Sequence, residues 1–392
     1  MTASLYIHIP FCVSHCDYCD FYSEIASKAD CAGSRLLDTY VETLKRELDF
    51  VFDFYKLPSV PTLYIGGGTP SVLGRKGLEA ILLHLSGLLE SWPVEVTVEA
   101  NPESADRDIL AMLKDRGVNR LSLGIQSLNE ASRRSVRRSG TVAQCLTALE
   151  LASDFFPHAF SVDLMAGLPF QTAAGLCDDI TIVLASGADH VSLYALILEE
   201  STPLAEQVRS GQKVLPSEEE AEDIWLAGRN ALTLQGLLPY EVSNFALPGR
   251  ESRHNMRYWR MESWVGCGPG ASSTLIDEPL GRGKRYTNRA DLAAYLAWDG
   301  KGLPPGEEEV LDRNTLLKES LMMGFRTIQG PDETLFEGRF HQPISALIPQ
   351  TLGRWRSRGL LQENRLALTA EGLLLLNSFL VDAFQELEQQ GL

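Results

Sequence analysis

Three cysteines near the start of the chain are the residues best suited to chemistry. Cys12, Cys16 and Cys19 follow the apolar stretch from Leu5 to Ile9, with the spacing C-x3-C-x2-C. Three thiolates on one loop can hold three irons of a [4Fe–4S] cluster. The fourth iron then has no protein ligand, so a small molecule can bind and react there.

Two other uses of these cysteines compete with the cluster. Zinc also accepts cysteines at this kind of spacing, and His15 is the nearest candidate for a fourth ligand. His15 is adjacent to Cys16, so we expect its side chain to point to the other side of the loop. Purely structural thiols are a weaker alternative, because such cysteines are usually scattered through a core. The spacing alone leaves cluster and zinc open.

The elements that must position this loop form a repeating strand and helix pattern over about the first 200 residues. Six alternations with short connections indicate parallel strands joined by right-handed crossovers. An open six-unit barrel and a doubly wound sheet both fit, and both bind ligands at the carboxyl ends of their strands. The cysteines, the glycines at 66–68, Glu99, Gln126 and Asp163 all follow a strand or lie near its end. We therefore expect them to meet at one rim.

Length and composition limit the kind of protein. The 392 residues are enough for two domains, and 44% hydrophobic residues can fill a sizeable core. A formal net charge of -17 argues against broad nucleic-acid binding. The other four cysteines, Cys31, Cys145, Cys177 and Cys267, are widely separated and do not resemble a disulfide framework. Because we also find no signal-peptide pattern, import leader or long apolar span, we predict a cytoplasmic protein.

The alternation stops near residue 200. The stretch from Tyr240 to Phe245 is predicted to be a further strand, and Pro304 to Glu309 is interpreted as a linker. The last 80 or so residues predict helices with one short hairpin. We therefore divide the chain into a core at 1–200, an extension at 201–305 and a C-terminal helical domain at 306–392.

The motifs of the sequence resemble those of the radical S-adenosylmethionine (SAM) superfamily. The resemblance starts with Tyr6–Cys12 and the three cysteines, and it covers nearly the whole chain. It is closest to the branch that holds oxygen-independent coproporphyrinogen III oxidase and the heme chaperone family HemW. Motifs of that branch match Gly66–Ser71, Glu99–Pro102, Gly124–Ser127, Asp163–Met165, Gly167–Pro169, Tyr240–Phe245, His254–Trp259 and Leu368–Gly372. The resemblance favours a cluster over zinc, and it implies an α/β fold with a partial (β/α)6 radical SAM barrel and a C-terminal, mainly α, winged-helix-like domain.

The resemblance also implies roles for individual residues. The three cysteines would bind the cluster, and SAM would chelate the open iron through its amino and carboxylate groups. The backbone at Gly67, Gly68 and Thr69 would approach the methionine part of SAM, where a Cβ would block close contact. The rest of the SAM pocket is expected to comprise Tyr6, Tyr18, Glu99, Gln126, Arg138 and Asp163. Three further arginines are predicted to form a solvated basic face: Arg133, Arg134 and Arg137.

Two features separate the members of this branch. The oxidase carries a further cysteine two residues after the third, whereas this chain has Phe21 there. The oxidase also has an extension before its Tyr-Ile-His motif, and here five residues precede Tyr6. The resemblance therefore favours a chaperone that binds heme and a SAM-bound cluster and passes heme to apo-hemoproteins. The alternative is the oxidase, which decarboxylates coproporphyrinogen propionates, and we expect this activity to be absent.

The predicted heme site depends on one histidine. His254 opens the stretch His254–Trp259, which matches the HNxxYW motif that the family links with heme binding. A neutral imidazole is a competent axial ligand of heme iron, while a hydrogen-bonded core histidine is the alternative. The expected partners are heme, recipient apo-hemoproteins such as membrane respiratory enzymes, and an electron donor for the cluster. A radical enzyme acting on RNA is disfavoured, because the chain is acidic and lacks a basic aromatic face.

Overall fold

The computed structural model of the chain describes residues 2–26, 35–57 and 59–392, so Cys31 lies outside the described residues. The strands, in chain order, are β1 (Ser4–Ile9), β2 (Phe11–Cys12), β3 (Glu24–Ile25), β4 (Thr62–Gly67), β5 (Glu95–Ala100), β6 (Arg120–Gln126), β7 (Phe160–Ala166), β8 (His190–Ala195), β9 (Leu238–Pro239), β10 (Asn244–Ala246), β11 (Trp264–Cys267), β12 (Ser272–Asp277), β13 (Arg282–Asn288) and β14 (Gly306–Leu311). The helices are α1 (Arg35–Tyr55), α2 (Gly74–Leu88), α3 (Arg107–Asp115), α4 (Glu130–Ser135), α5 (Val142–Phe155), α6 (Ala173–Ala185), α7 (Pro203–Arg209), α8 (Glu218–Leu234), α9 (Arg253–Trp259), α10 (Leu292–Leu296), α11 (Arg313–Phe325), α12 (Glu333–Phe340), α13 (Ile344–Leu347), α14 (Pro349–Ser357), α15 (Ala370–Leu374) and α16 (Leu376–Gln389).

One twelve-stranded sheet runs through most of the chain, in the order β14-β13-β12-β11-β1-β4-β5-β6-β7-β8-β10-β9. Every pair from β11 across to β8 is parallel, and the pairs at both ends of the sheet are antiparallel. Strands β1 and β4 to β8 follow one another both in the chain and in the sheet. The chain therefore winds in one direction, whereas a doubly wound sheet reverses at its centre. The predicted partial six-unit barrel is confirmed over the doubly wound alternative.

The barrel strands are apolar because both of their faces are buried. In β6, for example, Leu121, Leu123 and Ile125 are fully buried. The crossover helices that cover the sheet begin at clear signals, such as the capping box in which Thr141 and Gln144 bond to each other's backbone amides at the start of α5. The carboxyl ends of the parallel strands consequently open at one rim.

The stretch from Tyr240 to Phe245 is not the single strand that the sequence predicts. Two short strands are present instead, and β10 pairs antiparallel with both β8 and β9. Between them, the Glu241 carboxylate accepts hydrogen bonds from the Ser243 amide at 2.9 Å and the Asn244 side chain at 2.6 Å. These local bonds stabilise a turn in competition with strand pairing. The strand prediction is therefore wrong for residues 240–243.

The predicted linker around Pro304 is wrong in its second half. Strand β14 pairs antiparallel with β13 at the edge of the sheet. Lys284 Nζ lies 2.9 Å from Glu308 Oε1, and Arg285 Nη1 lies 3.1 Å from Glu309 Oε2. Proline, glycine and consecutive charges indicate a linker locally, whereas these cross-strand partners lie 24 positions away in the chain.

The C-terminal residues pack into a hydrophobic cluster that includes Trp355 and Phe379, whose rings meet edge to face at a centroid distance of 5.2 Å. A bridge pairs Leu361 with Leu368, which confirms the predicted hairpin among the helices. The result is the expected mainly α, winged-helix-like fold. In the part of the chain that the structure describes, no helix is both long and apolar enough to cross a membrane.

Candidate functional site

The three cysteines lie at the barrel rim and line one cavity of about 520 Å³, which we call the cysteine cavity. The Cys19 amide donates to Cys16 O at 3.1 Å, which turns the loop back on itself. Cys12 Sγ lies 3.6 Å from Thr69 Oγ1, and Cys16 Sγ lies 3.6 Å from Arg138 Nη1. Burial raises the pKa of the Cys12 and Cys19 thiols. The loop thus presents three thiols to one space.

The expected meeting of strand ends at one rim is confirmed. The cysteine cavity is also lined by predicted residues that lie in β4, β5, β6 and β7 or come after these strands, and by one residue of the cysteine loop, which is residues 12–19. They are Gly67, Gly68, Thr69, Glu99, Gln126, Arg138, Asp163 and Tyr18. These residues are far apart in the sequence. They meet because the carboxyl ends of parallel strands open on the same side of the barrel.

Two glycines bring the end of β4 against the cysteine loop. The Gly68 amide donates to Ile9 O at 2.8 Å, and the Thr69 amide donates to Phe11 O at 2.7 Å. A Cβ on Gly68 would lie 2.7 Å from Phe11 O, and Gly67 has a φ of +111°, which side chains rarely tolerate. The glycines therefore allow two backbone segments to pack together, in addition to leaving room for a ligand.

Two carboxylates, Glu99 and Asp163, provide the acidic part of the cavity wall. Tyr64 OH donates to Glu99 Oε1 at 2.6 Å, and the Gly67 amide donates to Glu99 Oε2 at 3.3 Å. Burial, assisted by the nearby Asp163, raises the pKa of Glu99 to about 7. Burial also raises the pKa of Asp163, although hydrogen bonds from two serines oppose it. Both carboxyl groups can accept hydrogen bonds from amino or hydroxyl groups of a ligand.

Arg138 is held from several sides at the same rim. Its Nη2 donates to Asn101 Oδ1 at 2.6 Å and to the Gly124 carbonyl. Asn101 Nδ2 in turn donates to Thr69 Oγ1 at 2.8 Å, so a residue given no role from the sequence links β4 to Arg138. Gln126 has a positive φ of 69° where the register between β6 and β7 shifts. Such strained positions are typical of ligand sites, and the irregularity directs Gln126 into the cavity.

The arginines beside Arg138 do not form one solvated face. Arg133 is 1% exposed and donates to backbone carbonyls around it, including Ser139 O at 2.6 Å. Arg137 pairs with Asp17, and Arg134 has a side chain that is 80% exposed. The prediction is wrong for Arg133, because the turn after α4 folds back over its guanidinium. Nothing in the local sequence distinguishes it from Arg134.

Two residues that the resemblance assigned to ligands lie outside the cysteine cavity. Tyr6 OH is hydrogen-bonded to His8 Nδ1 at 2.9 Å. His254 is buried, with Nδ1 at 2.8 Å from Thr62 Oγ1 and Nε2 at 2.8 Å from Tyr258 OH. Burial lowers the pKa of His254 to about 3, so the ring is neutral. Both ring nitrogens are thus hydrogen-bonded within the protein, a geometry that matches the core-histidine alternative, and the role of His254 as a heme ligand stays a prediction.

A second cavity of about 640 Å³ adjoins the first, and Tyr194 lines both. We call it the aromatic cavity, because Trp225, Tyr258, Trp259 and Trp264 contribute to its wall. The Tyr258 and Trp264 rings meet edge to face at a centroid distance of 4.8 Å. Aromatic walls of this kind suit a large, flat, mostly apolar ligand. The motif at His254–Trp259 is a partial sign of this cavity in the sequence, since its Asn255, Tyr258 and Trp259 line the wall. The sequence gives no sign of the other aromatic residues, which lie on other elements.

Asp17 is a buried residue that supports the cysteine loop and was not predicted from the sequence. It lies in the cysteine loop and is fully buried. Lys213 Nζ donates to its Oδ2 at 2.8 Å, and Arg137 pairs with its Oδ1. Burial alone would raise the pKa of Asp17, but these hydrogen bonds outweigh it and lower the pKa. Its amide and carbonyl also bond to Val136 and Leu204, so Asp17 joins the loop to three other segments.

Comparison with known proteins places the chain in a family. Residues 6–180 match the radical SAM superfamily, and residues 311–375 match the HemN C-terminal domain. The chain is 34% identical over 389 residues to the heme chaperone HemW of Lactococcus lactis, covering 97% of each chain. The chain belongs to the HemW family. Its identity to the heme chaperone HemW of Bacillus subtilis is 31% over 379 residues, covering 95% of this chain and 97% of that one.

This HemW family member is also similar to a mitochondrial protein and to a solved oxidase structure. A mitochondrial protein of Bos taurus, radical S-adenosyl methionine domain-containing protein 1, is 35% identical over 381 residues, covering 96% of this chain and 82% of that one. Among solved structures, coproporphyrinogen III oxidase (HemN) from Escherichia coli superposes with a TM-score of 0.82 at 22% identity, covering 97% of this chain and 90% of that one. That likeness concerns the fold alone, and it confirms the radical SAM barrel with a C-terminal helical domain.

The residues of this HemW family member fit the cofactors that the radical SAM superfamily implies, SAM and a [4Fe–4S] cluster. In a cubane cluster each thiolate binds its own iron, so the sulfurs need only face a common space. The cysteine loop meets this condition. The match of residues 6–180 to the radical SAM superfamily favours the cluster over zinc.

Proposed function

We propose that this chain is a cytoplasmic heme chaperone that binds heme and a SAM-coordinated [4Fe–4S] cluster and delivers heme to apo-hemoproteins. The relatives that match it over nearly their full length carry the name heme chaperone HemW. Membrane respiratory enzymes are among the recipients we expect. A separate electron donor would serve the cluster, and no nucleic acid is involved.

The cysteine cavity would hold the cluster and SAM. Cys12, Cys16 and Cys19 would each bind one iron, and the backbone at 67–69 would face the methionine part of SAM. When bound, the two cofactors would supply an electron-transfer centre with one exchangeable iron site. The remaining walls would come from side chains at the same rim that pair with carboxylate, amino or hydroxyl groups: Tyr18, Glu99, Gln126, Arg138 and Asp163.

One observation carries the proposal: the cysteine cavity adjoins an aromatic cavity of about 640 Å³, with Tyr194 lining both. A flat macrocycle such as heme needs apolar, largely aromatic walls, which the second cavity offers. The first cavity is then left for the cluster and SAM. Two adjoining cavities of different chemistry support a protein that holds two different ligands at once.

Phe21 supports the chaperone over coproporphyrinogen III oxidase. It occupies the position where the oxidase has its further cysteine, and its side chain is 75% exposed at the cysteine cavity. A phenyl ring cannot replace a thiol as a metal ligand or proton donor. We therefore propose that the chain lacks the oxidase activity.

We also propose that the chain works in three parts, at 1–200, 201–305 and 306–392. The hydrophobic contacts support a separate C-terminal unit, because buried residues from Leu311 to Leu387 form a cluster of their own with Met261. The aromatic cavity involves side chains from the second and third parts, such as Trp259 and Met323. Heme binding would therefore require both parts.

Heme titration and an anaerobic coproporphyrinogen III assay on the same reconstituted preparation test the proposal. We expect saturable heme binding, and no protoporphyrinogen formation in the presence of SAM and a reductant. A known coproporphyrinogen III oxidase assayed in parallel verifies the conditions. Robust turnover by this chain would identify it as the oxidase, and absence of heme binding would contradict the chaperone function.

A further inference from the structure

We propose that helix α11 of the C-terminal domain holds heme, with Met323 as an axial ligand of the iron and Arg326, just after the helix, as the partner of a propionate. The inference rests on the proposed heme-chaperone function and names the residues of its heme site. In this assignment His254 has a structural role, because its hydrogen bond to Thr62 fixes helix α9 against the sheet.

The shape of the aromatic cavity points to a flat ligand beside α11. Trp225, Trp259 and Trp264 line the cavity together with Met323 and Arg326. The tryptophans belong to α8, α9 and β11, so indole groups reach the cavity from three different elements. Indole rings contact planar aromatic ligands with a large area, and a volume of about 640 Å³ lies within the range of cofactor sites.

His254 cannot serve as the ligand without rearrangement. Its ring lies stacked near the Tyr64 ring, with the centroids 5.2 Å apart. Turning it toward the cavity would break its bonds to Thr62 Oγ1 and Tyr258 OH, each 2.8 Å long. A buried polar group that loses its partner destabilises the fold. The ligand should therefore come from a side chain that already lines the cavity.

The other donor groups at the cavity wall are engaged or protonated. Glu241 accepts hydrogen bonds from the Ser243 amide and from Asn244 through its Oε1, and a carboxylate is not among the usual axial ligands of heme iron. Tyr258 OH is bonded to His254. Tyrosine binds heme iron as a phenolate, but burial raises the pKa of Tyr194 well above its ordinary value. The thioether of Met323 needs no deprotonation and is an established type of axial heme ligand. Met323 is therefore the donor best prepared for the iron.

Arg326 adds charge to the same wall. It follows Met323 by three residues, at the C-cap of α11, so both side chains lie on one side of the helix end. Its guanidinium lies 5.2 Å from the centroid of the Trp259 ring. Among the residues described, neither Arg326 Nε nor Trp259 Nε1 has a hydrogen-bond partner, although both atoms are buried. Buried donors of this kind require an acceptor, and a carboxylate on a planar ligand would satisfy them.

Heme titration of the cluster-reconstituted full-length chain and its variants tests this assignment. Met323→Leu nearly conserves volume, and we expect it to shift the Soret band, lower the heme reduction potential and weaken heme affinity about tenfold. Met322→Leu is the matched control, because Met322 is the adjacent methionine and is 36% exposed. It should leave all three quantities unchanged. Arg326→Gln should weaken affinity roughly three- to tenfold without moving the Soret band.

His254→Gln separates this assignment from the motif-based one. We expect it to keep the wild-type Soret band and heme potential. A wild-type spectrum and potential in Met323→Leu would overturn Met323 as the ligand, and so would loss of the wild-type spectrum in folded His254→Gln. Failure of the wild-type chain to bind heme would overturn the proposed function itself. Normal heme binding by the wild type and by both α11 variants would overturn only the site.

Discussion

The cysteine cavity and the aromatic cavity share Tyr194, yet they are built in different ways. The cysteine cavity collects residues at the carboxyl ends of successive parallel strands, where barrel topology brings them together whatever their separation in sequence. The aromatic cavity depends on how α8, α9, β11 and α11 pack against one another, as its residues Trp225, Trp264 and Met323 illustrate. A site at strand ends can thus be predicted from the order of elements. For a site between packed elements the sequence gives only a fragment, here Tyr258 and Trp259 of the motif at His254.

The strongest test of the comparison removes the cysteines. Changing Cys12, Cys16 and Cys19 together to alanine should abolish the brown chromophore of the reconstituted chain, which should otherwise carry about four irons. Heme affinity should stay within about twofold of wild type, because the aromatic cavity keeps its walls. Cys177→Ala is the control, since Cys177 lies outside the cysteine cavity. Full iron loading of the triple variant would contradict the cluster, and parallel loss of heme would contradict separate cavities.

A smaller effect should follow from Asp17→Asn. The substitution removes a buried charge that pairs with Arg137 and Lys213, so we expect the free energy of unfolding to fall by roughly 2–3 kcal/mol. The reconstituted cluster should also be lost faster in air, while heme affinity is kept. Asp38→Asn disrupts an exposed ion pair with Lys76, and it should cost under about 1 kcal/mol. Equal stability of the two variants in urea unfolding would argue against Asp17 as the anchor of the loop.

Changes of pH should have effects of opposite sign near the two cavities. Glu99 has a pKa raised from 4.5 to about 7, so its contribution to stability is complete below pH 4.5 and is lost as pH rises through 7. His254 has a pKa lowered from 6.5 to about 3, so its contribution is complete above pH 6.5 and is lost as pH falls toward 3.

Urea unfolding of the cluster-free chain across this pH range measures both effects. Glu99→Gln should remove the part of the alkaline loss of stability that Glu99 causes, while Glu47, whose pKa burial also raises to about 7, keeps its own part. His254→Gln should remove the part of the acid loss that His254 causes, while His190, whose pKa burial also lowers, keeps its own part. Each change should be on the order of a few kcal/mol at most. The two variants serve as controls for each other. If both substitutions changed stability on the same side of the pH profile, this result would contradict burial of a protonated Glu99 and a neutral His254.

Much of the cysteine cavity could be predicted from the sequence. The cysteine spacing and the strand–helix alternation place Glu99, Gln126 and Asp163 at one rim, and the structure brings them together there. The role of Asp17 could not be predicted, because its partners Arg137 and Lys213 are 120 and 196 positions away in the sequence. A carboxylate between two cysteines has no local signal for such a role.

The second half of the chain was harder to predict because tertiary contacts decide its structure. The motif at His254 suggests a ligand, but only the fold reveals that Thr62 and Tyr258 occupy both ring nitrogens. The local sequence of β14 predicts a linker, whereas in the structure its glutamates pair with basic residues of β13 and the segment is a strand. In both places the local pattern is compatible with two structures, and partners distant in sequence select one of them.

Anomalous diffraction at the iron edge, from crystals of the heme-loaded and cluster-reconstituted chain, tests the central claim most directly. We predict two separate iron signals, one in the cysteine cavity and one in the aromatic cavity beside Met323. The two cavities would then hold two ligands at once, as a heme chaperone with a SAM-bound cluster requires. A heme iron bound at His254 would contradict the assignment to α11. A heme lying in the cysteine cavity would contradict the division of ligands between the two cavities.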